Sequence, residues 1–257
     1  MTPWQIGTAV FFGYVAVVAA LPRGLNRRRR RLTFAGAALG GALLIVSILL
    51  VADSFPNRWL LPPALLLLGY WTSGLLFVAP MPRVERMLAD VDRRLAIQSI
   101  AGRCPRLIVE LLEFAYAAVY LLVPVALYIA LDSGVTADRF WTTILITDYI
   151  CFSMLPWIQT RPPRSGGFEV PWRSTWRRVN EQLLASSSVQ VNTFPSGHAA
   201  EGLALALLVL DAPAPVVVWM FFNAAAISAG AVLGRYHYAA DAFTGWLVAL
   251  LVWGITR

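Results

Sequence analysis

Apolar runs of roughly membrane length recur along this chain with only short polar breaks between them, and few folds tolerate that pattern. A run such as "WQIGTAVFFGYVAVVAALP" (4–22) is too long and too uniformly apolar for one side of a soluble helix, so lipid is the natural solvent for most of the surface. Eight runs are distinguishable, at 4–22, 32–52, 59–80, 107–131, 140–160, 197–211, 214–234 and 239–256, the sixth and eighth being short. The chain is 58% hydrophobic and 14% charged, with a mean hydropathy of +0.65, which excludes an ordinary soluble domain. The pattern predicts an all-α, polytopic membrane helix bundle of about eight spans. The first run lacks a basic leader and is followed by "RGLNRRRRR", so it reads as a retained anchor rather than a signal peptide.

All 21 basic residues are arginines. Eighteen fall in the loops after the first, third, fifth and seventh spans; Arg58, Arg139 and Arg257 fall on the opposite side. Charge gathered in short loops between spans marks membrane orientation and headgroup contact, not a nucleic-acid surface. The positive-inside rule makes the arginine-rich side cytoplasmic and puts both termini outside, in a multi-pass protein of the plasma (inner) membrane. Two stretches between spans are amphipathic. Residues 82–103 gather Val84, Met87, Leu88, Val91 and Leu95 near one face; residues 174–188 gather Trp176, Val179 and Leu183 behind a capping Ser174. Both suit helices in the headgroup layer, with Trp172 and Trp176 at interfacial depth, although packing on the bundle accounts for them equally. Cys104 and Cys151 form no disulfide framework or metal-ligand spacing and read as free, buried thiols.

The chemistry concentrates where the two histidines lie. "NTFPSGHAAEG" (192–202) is a turn leading into an apolar helix. A helix start offers unpaired N–H groups and the positive end of the dipole, Ser196 adds a hydroxyl, and His198 reaches the same anion from the first turn. In "LGRYHYAADAFTG" (233–245), His237 and Asp241 are four apart and would share one side of a helix. The carboxylate would then hold the imidazole Nδ1 proton and leave Nε2 as a nucleophile. Arg235 precedes the pair. In "LPWIQTRPPR" (155–164), Arg161 and Arg164 bracket Pro162-Pro163 and can supply phosphate donors; the competing use of the pair is headgroup contact.

Together these segments resemble the motifs of the type 2 phosphatidic acid phosphatase superfamily, integral-membrane lipid phosphate phosphatases. That family carries Lys, six residues, Arg-Pro; then Pro-Ser-Gly-His; then Ser-Arg, five residues, His, three residues, Asp. Pro195–His198 match the second motif throughout, His237 and Asp241 the end of the third, and Arg161-Pro162 the end of the first, over roughly 140–257. The resemblance implies a six-helix catalytic core within 59–257, with 1–58 as a two-span extension. It further implies that His237 attacks phosphorus to form a phosphohistidine, that Asp241 orients it, and that His198 protonates the leaving alkoxide. Arg161, Ser196 and Gly197 would hold the phosphoryl oxygens. The family uses no metal, and neither a metal nor another cofactor is expected here. Met154 stands where the family has lysine and Ala231 where it has arginine, so Arg164 and Arg235 are the candidate replacements. "RYHY" and "RPPR" also resemble the branch containing inositol phosphorylceramide and sphingomyelin synthases, which pass a phospho-headgroup to a lipid hydroxyl.

The leading expectation is therefore a metal-independent membrane lipid phosphatase acting on a phosphomonoester or diphosphate, with a bell-shaped rate profile from its two histidines. The alternatives are a lipid phosphotransferase and a catalytically silent relative. Glu110 and Glu113 are expected to make helix–helix hydrogen bonds rather than catalyse, and Gly40-Gly41 to serve packing. The role of Asp148 stays open. Glu201, one turn beyond His198, either tunes that histidine, contacts an acceptor or makes a structural hydrogen bond.

Overall fold

The computed structural model describes residues 1–22, 24–166 and 174–257; Arg23, Trp172 and Arg173 lie outside them. The described residues form eleven α-helices and no strand, so the all-α expectation holds. Every apolar run is a helix: α1 (Pro3–Ala20), α2 (Arg27–Leu49), α3 (Leu61–Gly74, entered through a π-helical turn at Pro56–Leu60), α6 (Arg106–Asp132), α7 (Ala137–Ser153), α9 (Gly197–Leu208), α10 (Ala214–Leu233) and α11 (Ala239–Thr256). Five of these, α1, α2, α6, α10 and α11, are long and apolar enough to cross a membrane, and the chain is a multi-pass membrane bundle. The other three are shorter than their apolar runs. α7, for example, stops at Ser153, three residues before Pro156, which supplies no backbone N–H.

α9 is the hub, packed by α6, α7, α10 and α11. Its Ala-, Gly- and Leu-rich sequence is buried at every position except His198. Small residues let the neighbours come close. At Gly245 of α11, a Cβ would stand 2.5 Å from the Ser196 carbonyl oxygen, so only glycine lets α11 cross the start of α9. The α1–α2 hairpin leans on α7 through Phe11, whose ring stacks on Tyr149 at 4.1 Å. A Cβ at Gly40 would meet the Phe12 ring at 2.6 Å, whereas Gly41 faces open space, so the packing role expected of the pair belongs to Gly40 alone.

The loops after α1, α3, α7 and α10 meet at one end of the bundle. Arg29 Nη1 donates to the Phe77 carbonyl (2.5 Å), Met81 N to Gln159 O (2.7 Å), and Arg164 N to Arg235 O (3.1 Å). The arginine-rich loops thus share one face, as their sequence placement requires.

Three helices outside the spans, α4 (Pro82–Arg94), α5 (Ile97–Arg103) and α8 (Thr175–Ser187), cover that end. The amphipathic pattern predicts one stretch over 82–103; it breaks at Ala96, whose φ of 52° is left-handed and ends α4. Both α4 and α8 bury a charged residue and leave large apolar ones exposed. α4 buries Asp92 together with Leu88 and exposes Met87 and Val91 among its arginines; α8 buries Arg177 and Asn180 and exposes Trp176 and Leu183. Such a mixed outer face suits a helix between a polar protein end and lipid. Ser174 caps α8 as expected, accepting from Arg177 N at 3.1 Å. Both cysteines are free, Cys151 buried and Cys104 half-buried.

Candidate active site

The site forms where α9 and α11 begin. Ser196 N donates to the Asp241 carbonyl (2.9 Å), tying the two helix starts together, and Ser196 Oγ caps α9 by accepting from Ala199 N at 3.4 Å. The first N–H groups of α9 have no intrahelical acceptor and present the positive end of its dipole.

His237 and Asp241 meet, but not for the reason the spacing suggests. His237 lies in the turn before α11, not on the helix; Tyr238 is the N-cap and Asp241 the third helical residue. Asp241 Oδ2 accepts from Tyr238 N (2.9 Å) and from Asn192 Nδ2 (2.9 Å), which fixes the carboxylate under the imidazole. His237 Nδ1 stands 3.5 Å from that oxygen, just outside hydrogen-bond range. Among the described residues both Nδ1 and Asp241 Oδ1 lack a hydrogen-bond partner, so a small adjustment closes the pair. Asn192 also donates to Thr160 Oγ1 (3.0 Å) and pairs with Thr160 through the backbone, joining the segment after α7 to the turn before α9.

His198 opens from the first turn of α9 toward His237, with 6.2 Å between ring centroids. Its ring stacks on Tyr116 (4.8 Å, 14°), which stacks on Tyr236 (4.3 Å, 9°), and the Tyr120 hydroxyl lies 3.1 Å from its Nε2. Both histidines line a cavity of about 340 Å³ bounded by α3, α6, α7, α8 and α9. Gly197, Arg164, Asp148 and Glu201 share its wall, and Leu66, Trp71 and Phe152 are among the apolar residues that complete it.

The three candidate arginines separate. Arg164 reaches the cavity, its guanidinium 5.4 Å from the centroid of the Tyr236 ring. Arg161 does not line it. Its Nε and Nη2 grip Glu85 of α4 at 3.0 and 2.9 Å, and its backbone N adds a third bond at 2.8 Å. That grip holds the Glu85 carboxyl below its ordinary range. Arg235 does not line the cavity either. At a left-handed φ of 62°, it turns its Nη1 onto Asp92 of α4 (2.7 Å), which also accepts from Ala239 N (2.9 Å). Burial nevertheless pushes the Asp92 carboxyl above its usual value. α4 therefore clamps the two loops that frame the site. Of the family positions occupied differently here, Met154 sits at the end of α7, outside the cavity wall, and Ala231 is buried against Tyr116 and Tyr236. A guanidinium at 231 would have to displace that aromatic stack.

Glu110 and Glu113 bond helix to helix, as expected. Glu110 accepts from Ser174 Oγ (2.7 Å) and Thr175 N (2.9 Å) at the start of α8. Glu113 is a hub for Arg177 Nη1 (3.1 Å), Asn180 Nδ2 (2.8 Å) and the Tyr236 hydroxyl (2.6 Å). Arg177 also donates to the Gly234 carbonyl at 2.9 Å, so α8 is anchored to the turn that carries His237. Sequence reasoning misses Asn192, Tyr116, Tyr120 and Arg177. The only signals are a polar side chain beside the Pro-Ser-Gly-His turn and two tyrosines one helical turn apart. No group of three or more His, Cys, Asp or Glu side chains gathers among the described residues.

A sequence model of the family described as the PAP2 superfamily matches residues 83–255, which hold both histidines, Asp241 and the three candidate arginines and exclude α1, α2 and α3. No curated protein and no solved structure matches the chain.

Proposed function

This chain belongs to the PAP2 superfamily, and on that premise we propose that it is a membrane lipid phosphatase that works through a phosphohistidine on His237. The observation that carries the reading is the meeting of both histidines at one cavity, with Asp241 behind His237 and the start of α9 beside His198. His237 Nε2 attacks phosphorus while Asp241 holds the Nδ1 proton. The P–O bond breaks, its electron pair leaves on oxygen, and His198 protonates that oxygen. Water, deprotonated by His198, then attacks the phosphohistidine; the P–N bond breaks and phosphate departs. Arg164 and the first N–H groups of α9 stabilise the charge on the transferring group. Arg161 and Arg235 act at one remove, by fixing the loops through α4.

The substrate class is a lipid phosphomonoester or diphosphate drawn from the bilayer. Residues 59–257 form the catalytic unit, with α1 and α2 as an extension that buttresses α7, and the arginine-rich end faces the cytoplasm. A second reading, transfer of a phospho-headgroup to a lipid hydroxyl, is supported by the apolar wall that Leu66, Leu67 and Trp71 of α3 give the cavity, where an acceptor chain could lie.

Phosphate release from a panel of lipid phosphates, in chelator, by the parent and by His237→Ala, tests the proposal. Release by the parent alone is expected. Equal release from both sinks the phosphohistidine, and no release, with a phosphorylated lipid product formed only when a lipid alcohol is supplied, moves the activity to transfer.

A further inference from the structure

His237 has Asp241 behind its ring, and His198 has a partner of a different kind. The hydroxyl of Tyr120 on α6 lies 3.1 Å from His198 Nε2, and the two rings meet edge to face with 5.6 Å between centroids. Tyr116, one helical turn earlier on α6, covers the face of the same imidazole at 4.8 Å and 14°. The stack sets the plane of the imidazole, and the hydroxyl sets its rotation within that plane. Tyr116 is itself held: it is buried and stacks on Tyr236, whose hydroxyl donates to Glu113 (2.6 Å).

With Nε2 taken, Nδ1 is the nitrogen of His198 left to the cavity. No protein group bonds it among the described residues, and, unlike His237 Nδ1, it is not shut inside the protein without a partner. A histidine that protonates a leaving oxygen begins as an imidazolium, with hydrogen on both nitrogens. Tyr120 must then accept from Nε2–H. Once the proton has left Nδ1, that bond persists in the neutral ring, which keeps its hydrogen on Nε2 and a lone pair on Nδ1. The lone pair is what takes a proton from water in the second half of the reaction. If Tyr120 donated to Nε2 instead, the hydrogen would sit on Nδ1, and the ring would offer the cavity no base. A carboxylate in place of the phenol would also fix the ring, but its charge would hold the proton there.

We propose that Tyr120 is the positioning residue of His198: it accepts a hydrogen bond from Nε2–H and makes Nδ1 the nitrogen that exchanges protons with the leaving oxygen and with water. Tyr120 stands to His198 as Asp241 stands to His237. The protons balance. Nδ1–H passes to the oxygen as the electron pair of the P–O bond arrives there, and Nδ1 recovers a proton from the water that attacks the phosphohistidine. This deepens the phosphatase reading and rests on it for the role of His198.

Because the chain has two histidines, His237→Ala leaves a single imidazole to observe. Nitrogen NMR of that full-length variant, labelled at histidine and held in detergent at a pH where the ring is neutral, is expected to show hydrogen on Nε2. That hydrogen should exchange with water about tenfold faster or more when Tyr120→Phe is added. Hydrogen on Nδ1, or exchange that ignores Tyr120→Phe, overturns the proposal; the tautomer is read without touching Tyr120, so it decides even where the second variant misfolds. The kinetic arm uses Tyr120→Phe with both histidines present. Its first turnover should slow about tenfold on a lipid phosphate, whose alkoxide needs a proton, and by less than about twofold on an aryl phosphate, whose phenolate does not. Equal slowing on both substrates would mark a structural lesion, and no slowing on either would remove Tyr120 from the reaction; both overturn the proposal. Hydrogen held on Nε2 by Tyr120 in a protein that releases no phosphate would refute the phosphatase and leave the pairing standing. Phosphate release by a protein with hydrogen on Nδ1 would do the reverse.

Discussion

The clamp built from α4 and α8 and the cavity around His198 use the same residue types in opposite ways. In the clamp, carboxylates meet arginines: Glu85 with Arg161, Asp92 with Arg235, Glu113 with Arg177. In the cavity, Asp148 and Glu201 meet no cation of the protein among the described residues, and His237 Nδ1 is held just short of Asp241. Burying a charge is costly in either setting. Where the protein supplies the partner, the pair fixes geometry and its loss is a structural event. Where it does not, loss of the side chain leaves the pairs of the clamp intact. Arginines alone do not announce a phosphate site, since here two of the three candidates belong to the clamp.

The contrast is sharpest in rate measurements. His237→Ala should lower phosphate release by about 10⁴-fold or more, and His198→Ala by about 10² to 10⁴-fold, while both proteins keep the parent's melting temperature. A variant that loses activity only by losing its fold would erase the distinction. Next in size is the division of the arginines. Arg164→Ala should reduce kcat by about 10² to 10³-fold, whereas Arg161→Ala should reduce it by less than about tenfold. The reverse order would return Arg161 to the phosphate. On the clamp side, Glu113→Ala removes the carboxylate shared by Arg177, Asn180 and Tyr236, and should destabilise the protein by about 3 kcal/mol, read as a lowered melting temperature in detergent. Glu113→Gln should recover part of this. The smallest effect is a pH dependence. The Glu85 carboxyl is held below its ordinary range by Arg161, so its contribution is complete above the free glutamate pKa and is lost as pH falls through the depressed value. The parent should therefore lose a small increment of thermal stability under acid that Glu85→Gln, already lacking it, does not show.

The fold is legible in the sequence because its strongest signal is local. Each apolar run needs only its own residues to declare a helix, and all eight do. What misleads is the length of α3, α7 and α9, because a buried helix need not match a bilayer, and the unity of 82–103, which Ala96 breaks by a backbone angle that no periodicity reports. The histidines are legible because the chain has two of them, each beside a turn. The partners of the arginines are not: Glu85 lies 76 residues from Arg161 and Asp92 lies 143 from Arg235, and nothing in the sequence near either arginine names them. Asn192, Tyr116 and Tyr120 are hidden for a related reason, since a tyrosine in an apolar helix reads as packing until its ring is found against a histidine.

The brevity of α9 also limits where substrate can come from. Its 12 residues rise about 18 Å, against a hydrocarbon core of about 30 Å. The histidine end meets residues of α8, and the remainder of the helix is sealed by its neighbours. On the proposed phosphatase reading, the cavity would be a well let into one leaflet, with the leucines of α9 separating it from the other. A lipid in the far leaflet would then be out of reach until something flips it, and turnover in an asymmetric membrane would report the composition of the arginine-side monolayer alone.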